Sequence, residues 1–136
     1  MWGFKPKTPK DLVDKFKNVF NIVNWVNWHI LYSKDSIGRT QSPEETLRTR
    51  KADCVDYAVL FCGILRELGY QPEVWGGFGK PHHAIVVYKT ENGWNYISNT
   101  KMVHSYANTA EECAKIALTG RDIVRLRRVE NAERET

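Results

Sequence analysis

The sequence predicts an α+β fold in which N-terminal helices pack on an antiparallel β-sheet. Apolar residues three or four positions apart fill the first third of the chain, and a second helical pattern covers residues 54–68. Two β-branched, apolar runs then flank the turn signal Glu91-Asn92-Gly93. With 136 residues the chain can bury a core of its own, so we expect one domain over residues 1–129 and a frayed polar tail over residues 130–136.

The first helical region has a clear start signal. Thr8 is a capping residue, Pro9 suits the first helical position, and Asp11 places an acid in the first turn. The apolar stripe that follows consists of Leu12, Phe16, Val19, Phe20, Val23, Val26 and Ile30. We expect this stripe to face the sheet.

The central helix is predicted to begin at a cysteine. Asp53 is a good N-cap, Cys54 then falls in the first turn, and Gly69 follows the last apolar residue as a C-cap. Free N–H groups and the helix dipole at this position favour a thiolate. The alternative is that Cys54 is a small buried apolar residue.

Strands are predicted on either side of a histidine. Residues 71–75 end at two glycines, residues 83–88 form the next strand, and residues 94–98 return antiparallel to it. A further helix begins at Thr109 and ends near Gly120, and a strand over residues 123–129 completes the sheet. A helix-borne cysteine that packs near the strand-borne His83 is the papain-type arrangement of nucleophile and base.

Four sequence blocks in order carry a family resemblance. Residues 53–58 (D-C-V-D-Y-A) are similar to a G-D-C-x-D-Y-A block, and residues 65–74 to L-R-x-L-G-I-x-A-x-V. Residues 83–87 (H-A-I-V-V) are similar to H-A-W-V-E-V, and residues 93–100 to G-W-x-x-L-D-P-T. The chain thus resembles the transglutaminase-like superfamily, rearranged relatives of papain. This resemblance implies a papain-like, transglutaminase-core fold with its nucleophile at the start of the central helix.

The resemblance also implies the site residues. Cys54 takes the nucleophile position and His83 the base position, but Ser98 stands where the family has an orienting aspartate. Asn99 could orient the imidazole only if the strand ends or bulges there, because adjacent strand residues point to opposite faces. The missing carboxylate predicts a weaker base, a different orienting residue or an inactive site.

Oxyanion and substrate contacts are less sharply predicted. The backbone N–H of Cys54 and an upstream side chain would bind the oxyanion, and Trp25, Trp28 and Gln41 are the candidates. The two tryptophans could instead pack in the core or wall the cleft. His82 cannot face the cysteine together with His83, so it faces solvent or substrate.

Composition excludes several classes of function. Three cysteines without paired Cys/His spacing argue against both a disulfide framework and a zinc site, and we expect no metal and no cofactor. The net charge is +4, and the C-terminal arginines suit an exposed edge strand without the aromatic interleaving of RNA-binding motifs. We therefore expect a peptide or protein substrate, no nucleic acid and no membrane, and a cytoplasmic location; the oligomeric state is left open.

The predicted function is thiol-dependent acyl transfer on amide bonds. Hydrolysis by a cysteine peptidase or amidase is favoured over transamidation, because a small domain offers little to exclude water from a thioester. The alternative is a catalytically degraded transglutaminase-like fold that binds peptides or proteins.

Overall fold

In the computed structural model, the described residues are 3–34, 39–79 and 81–131, and their helices and strands form the α+β fold that the sequence predicts. The elements in chain order are α1 (Pro9–Phe16), α2 (Val19–His29), β1 (Leu31–Tyr32), α3 (Pro43–Thr49), β2 (Lys51–Ala52), α4 (Cys54–Glu67), β3 (Pro72–Phe78), β4 (His83–Thr90), β5 (Gly93–Ser98), β6 (Lys101–Ala107), α5 (Ala110–Ala117), β7 (Asp122–Arg125) and α6 (Arg127–Glu130).

A five-stranded antiparallel sheet organises the core, with the strand order β6-β5-β4-β3-β7. Strand β4 lies at its centre and is buried on both faces. Val86 and Tyr88 pack in the cluster that contains α4, whereas Ile85 and Val87 pack with Leu118 in the cluster that contains α5. Side chains alternate along a strand, so the even-numbered residues of β4 face α4 and the odd-numbered ones face α5.

The N-terminal apolar stripe is divided between two helices. Lys17 adopts a left-handed conformation (φ 65°) that ends α1, and the Asn18 side chain accepts a hydrogen bond from the N–H of Asn21 (2.9 Å) to begin α2. The change of direction leaves Phe20 61% exposed, so its predicted place in the core is wrong. A break of two residues was enough to shift the helical phase.

The C-terminal region departs most from the sequence prediction. Strand β7 ends at Arg125, and α6 replaces the rest of the strand predicted over residues 123–129. Glu130, predicted to open a frayed tail, is only 5% exposed and accepts hydrogen bonds from the N–H of Val74 (3.0 Å) and the Arg125 guanidinium (2.8 Å). Residues 132–136 of the predicted tail lie outside the described residues.

Candidate active site

The N-terminus of α4 is fixed by two reciprocal aspartates. Asp53 accepts a hydrogen bond from the N–H of Asp56 (2.9 Å), and Asp56 accepts one from the N–H of Asp53 (3.1 Å). Cys54 is therefore the first residue of the helix, as predicted, with Asp53 as its cap. Its own N–H is among those that a helix leaves without an intrahelical partner.

Gln41 holds this capped end against the preceding turn. Its side chain is fully buried, and its amide nitrogen donates to the carbonyl of Lys51 (2.7 Å) and to the Asp56 carboxylate (3.1 Å). Its backbone N–H reaches the same carboxylate (2.8 Å), while the Thr49 hydroxyl donates to its amide oxygen (2.9 Å). Both amide hydrogens are thus committed within the protein, which corrects the prediction that Gln41 could serve as an oxyanion donor.

A gap in the sheet lies opposite Ala84. A two-residue turn joins β4 to β5, so its flanking residues, Thr90 and Gly93, exchange both backbone hydrogen bonds. Hydrogen-bonding residues recur at every second position from there, and the N–H of Ala84 accordingly points toward β5. Pairing between the two strands nevertheless stops at Val86 and Ile97. The sheet therefore leaves the N–H of Ala84 without a partner on β5.

The thiol of Cys54 lies near this free N–H. Strand β5 ends at Ser98, and the backbone N–H of Ala84 is close enough to the Cys54 sulfur to act on the pKa of the thiol. Because Ala84 directly follows His83, the Cys54 thiol lies near the point where the predicted base joins β4. The helix start and the strand start that the sequence singles out are thus brought together at the end of the sheet.

Ser98 lies behind His83. The Nε2 atom of His83 is 2.7 Å from the Ser98 hydroxyl oxygen, so Ser98 occupies the place that the family resemblance assigns to an orienting acid. Asn99 is the first residue of the β5–β6 turn with φ 53°, and its side-chain oxygen is buried without a hydrogen-bond partner. The predicted alternative that Asn99 orients the imidazole is therefore not what the structure shows.

Both groups of the Cys–His pair favour their neutral forms. Burial raises the pKa of the Cys54 thiol, and the Asp53 carboxylate raises it further, although the N–H of Ala84 acts in the opposite direction. Burial also lowers the pKa of His83, as does the positive charge of Arg121. The N–H groups of Val55 and Cys54 at the helix start do lower the pKa of the thiol, as expected, but burial outweighs them.

The two candidate tryptophans have different environments. Trp25 is buried with an unpartnered Nε1, and its ring stacks on His29 (4.4 Å between centroids) and lies under the Arg50 guanidinium (5.1 Å). Trp28 is 82% exposed, directly after Asn27, which accepts a hydrogen bond from Thr100 in the β5–β6 turn (2.8 Å). Trp25 thus packs as a core residue, and Trp28 lies on the surface near the turn that follows Ser98.

The residues before His83 form a short, partly glycine-rich connection. Gly76 and Gly77, predicted to end the preceding strand, belong to β3, which continues to Phe78. His82 is exposed, accepts a hydrogen bond from the N–H of Gly79 (3.1 Å) and packs edge-on against Phe78 (5.4 Å between centroids). His82 therefore shapes this connection from its outer side.

Sequence reasoning missed Arg121 as a residue of the site. The C-terminal arginines were interpreted together as charges of an edge strand, and β7 is indeed an edge strand. Arg125, however, pairs with Glu130 and Glu73, whereas Arg121 lies close enough to His83 to alter its pKa. A group of arginines in sequence is thus divided between a structural ion pair and the candidate site.

Within residues 3–34, 39–79 and 81–131, no group of three His, Cys, Asp or Glu side chains is arranged to hold a metal ion. No helix in these segments is both long and apolar enough to cross a membrane.

The fold and the Cys–His–Ser arrangement define a thiol-dependent enzyme fold of the papain-like class. The family model for the transglutaminase-like superfamily matches residues 6–110, and the chain belongs to that superfamily. The sequence-based resemblance and the predicted fold class are thereby confirmed.

A similar solved structure agrees with this fold. It is a crystal structure of a "putative cysteine protease" from Cytophaga hutchinsonii, 20% identical in sequence, with a TM-score of 0.58. The match covers 89% of this chain and 49% of the other, so the chain spans about half the length of that protein. No curated protein matches the sequence.

Proposed function

We propose that this protein is a cysteine peptidase or amidase that hydrolyses amide bonds through a thioester on Cys54. Two observations support the proposal: the Cys54 sulfur lies near the N–H of Ala84, the residue after His83, and the Nε2 atom of His83 contacts Ser98. A nucleophile, a base and a residue that orients the base are the parts that acyl transfer requires.

The first half of the reaction begins from a neutral pair. When the Ser98 oxygen accepts from Nε2–H, the Nδ1 atom of His83 keeps its lone pair for the thiol. Nδ1 takes the thiol proton as sulfur attacks the amide carbonyl, and the N–H of Cys54 stabilises the oxyanion. His83 then gives its proton to the departing nitrogen, the C–N bond breaks, and a thioester and a free amine remain.

The second half returns the protein to its starting state. A water molecule gives a proton to His83 and its oxygen attacks the thioester carbonyl, and the protonated imidazole returns the proton to sulfur as the C–S bond breaks. The products are a carboxylic acid and the free thiol. An amine that replaced the water would give transamidation instead.

The substrate is proposed to be a peptide or protein segment. Trp28, Leu31 and Tyr32 are exposed apolar side chains, and β1 pairs with β2 directly before Asp53. An extended segment that contacts these residues would bring its carbonyl toward Cys54. In this role Trp28 is a substrate-contacting residue.

The test is acylation of Cys54. Wild-type protein is mixed with p-nitrophenyl acetate and with fluorogenic peptide amides, quenched in acid, and mapped by mass spectrometry for an acyl group on Cys54. Cys54→Ser should abolish the adduct and turnover, His83→Ala should reduce both at least about 100-fold, and the surface variant His104→Ala should resemble wild type. An acyl group found equally in the His83→Ala variant would overturn the proposal.

The same experiment shows whether water or an amine accepts the acyl group from Cys54. Hydroxylamine, a strong nucleophile, should convert the acyl group into a hydroxamate and accelerate turnover if a thioester forms. Preferential capture by added primary amines over water would favour transamidation.

A peptide-binding module is the second candidate function. The uncharged Ser98 behind His83 and the raised pKa of Cys54 favour it. Under this alternative, no acyl-Cys54 adduct forms, and Cys54→Ser binds peptides as tightly as wild type does.

A further inference from the structure

Arg121 lies on the same face of the sheet as His83. Gly77 of β3 is directly opposite His83 of β4, and directly opposite residues project to the same face. A Cβ atom at Gly77 would be 2.7 Å from the Cδ of Arg121 and 3.1 Å from the Cβ of Leu118. The Arg121 side chain therefore occupies the space that a side chain at Gly77 would fill, next to the imidazole.

Within the described part of the chain, the Arg121 guanidinium is anchored at one atom only. Arg121 Nε donates to the carbonyl of Pro81 (2.8 Å), and its backbone N–H donates to the carbonyl of Leu118 (3.1 Å). Among the described residues, no hydrogen bond or ion pair engages its two terminal nitrogens, whereas Arg39 and Arg125 each pair with a glutamate. Two parallel donors thus remain free beside the candidate base.

We infer that Arg121 binds a carboxylate on the leaving-amine side of the substrate, which makes the substrate an amide of an amino acid or of an acidic residue. The inference rests on the proposed function. His83 must reach the departing nitrogen to protonate it, so the leaving group lies over His83. The guanidinium fork matches the two oxygens of a carboxylate.

Alkylation of Cys54 tests whether the positive charge of Arg121 attracts a carboxylate, and it does not require the protein to hydrolyse a substrate. Iodoacetate carries a carboxylate and iodoacetamide does not, so the ratio of their rates at one pH cancels the thiolate fraction. We expect the ratio at Cys54 to exceed that of N-acetylcysteinamide by about five-fold or more, to fall close to the reference in Arg121→Gln, and to decrease with salt.

Matched variants keep this test specific. Arg128→Gln removes the same charge from α6, beyond the opposite end of β3, and should leave the ratio unchanged. Arg121→Lys keeps the charge and should keep most of the ratio. If Arg121→Gln unfolds, Gly77→Ala should displace the guanidinium and lower the ratio. A wild-type ratio equal to the reference, or one that Arg121→Gln and Gly77→Ala do not change, overturns the inference.

Leaving groups identify which carboxylate is bound. Benzyloxycarbonyl-phenylalanyl amides of alanine and alaninamide differ in the α-carboxylate, and those of glutamic acid α-amide and glutamine α-amide differ in the side chain. Wild type should prefer the acidic member of one pair, and Arg121→Gln should remove that preference by raising KM for the acidic member more than for the neutral one.

The possible results separate the two proposals. An equal loss for acidic and neutral leaving groups in Arg121→Gln would assign Arg121 a structural role and overturn the inference. If no amide is hydrolysed but the iodoacetate preference depends on Arg121, the proposed hydrolysis fails while the anion site stands.

Discussion

The Nε2 atom of His83 lies 2.7 Å from the hydroxyl oxygen of Ser98, so an uncharged group orients the candidate base. A hydroxyl fixes the ring and its tautomer, but it does not stabilise an imidazolium as a carboxylate does. The pKa of Cys54 is also raised. Both observations favour a neutral thiol on Cys54 and a neutral imidazole on His83 before substrate binds.

Replacing Ser98 with aspartate should convert the neutral pair into an ion pair. A carboxylate beside Nε2 is expected to raise the pKa of His83 and to favour the thiolate on Cys54. NMR titration of His83 measures the first effect, and iodoacetamide alkylation at neutral pH measures the second, with a rise of about ten-fold or more. Ser98→Asn is the uncharged control, and an equal rise in that variant would show that charge is not the cause.

In the wild-type protein, the rate at which Cys54 is alkylated should rise with pH in a single step. Because the pKa of Cys54 lies above its ordinary value, the thiolate forms only as the pH rises through that higher pKa. We expect Cys54 to react more slowly than N-acetylcysteinamide at pH 7 and to reach its plateau at a higher pH. A plateau that already begins in acid would instead reveal a resting thiolate–imidazolium pair.

Gln41→Ala should weaken the capped end of α4. The substitution removes the side-chain hydrogen bonds to Lys51 and Asp56 and leaves buried acceptors short of donors. Each such loss costs about 1–3 kcal/mol in the free energy of unfolding. Urea denaturation measures the loss, and the exposed Gln71→Ala is the control that should change little.

Gln41→Glu tests the contact between Gln41 and Asp56 by replacing the neutral amide with a negative charge. A second carboxylate would face Asp56 in a fully buried position. We expect this variant to be less stable than Gln41→Ala, and a variant as stable as wild type would contradict the role assigned to Gln41.

Glu130→Gln should destabilise the fold although it lies near the end of the described chain. Glu130 is buried against Arg125, whose side chain is 32% exposed. Removal of one partner from a fully buried pair costs about 3–5 kcal/mol; partial exposure of Arg125 reduces the expected loss to about 2 kcal/mol. Thermal and urea unfolding would measure it against the exposed control Glu111→Gln, and equal stability of both would contradict the ion pair.

Local signals in the sequence account for much of the fold and for the centre of the candidate site. Thr8, Ser42, Asp53 and Thr109 each cap a helix through a contact three residues away, which a sequence displays directly. The alternating strands around Glu91-Asn92 are similarly local. Cys54, His83 and Ser98 were predicted because their sequence blocks are distinctive.

The roles of residues that act over long separations were not predicted. Gln41 contacts Asp56 across 15 positions, Glu130 contacts Val74 across 56, and Arg121 contacts Pro81 across 40. Each is a polar residue whose hydrogen-bond partner is distant in sequence and comes close only when the chain is folded. Strand β6 was missed for a related reason, since its exposed polar residues pair with β5 through an irregular register.

Because β5 ends early, the length of the β5–β6 hairpin affects the surroundings of Ala84. If both strands of that hairpin were two residues longer, a backbone carbonyl would lie opposite Ala84 and accept a hydrogen bond from the N–H that now lies near the sulfur. Such an insertion would leave Cys54, His83 and Ser98 in the sequence and still exclude the thiol from the sheet. Hairpin length, as much as the identity of any side chain, therefore determines whether a chain of this fold can present its cysteine to its histidine.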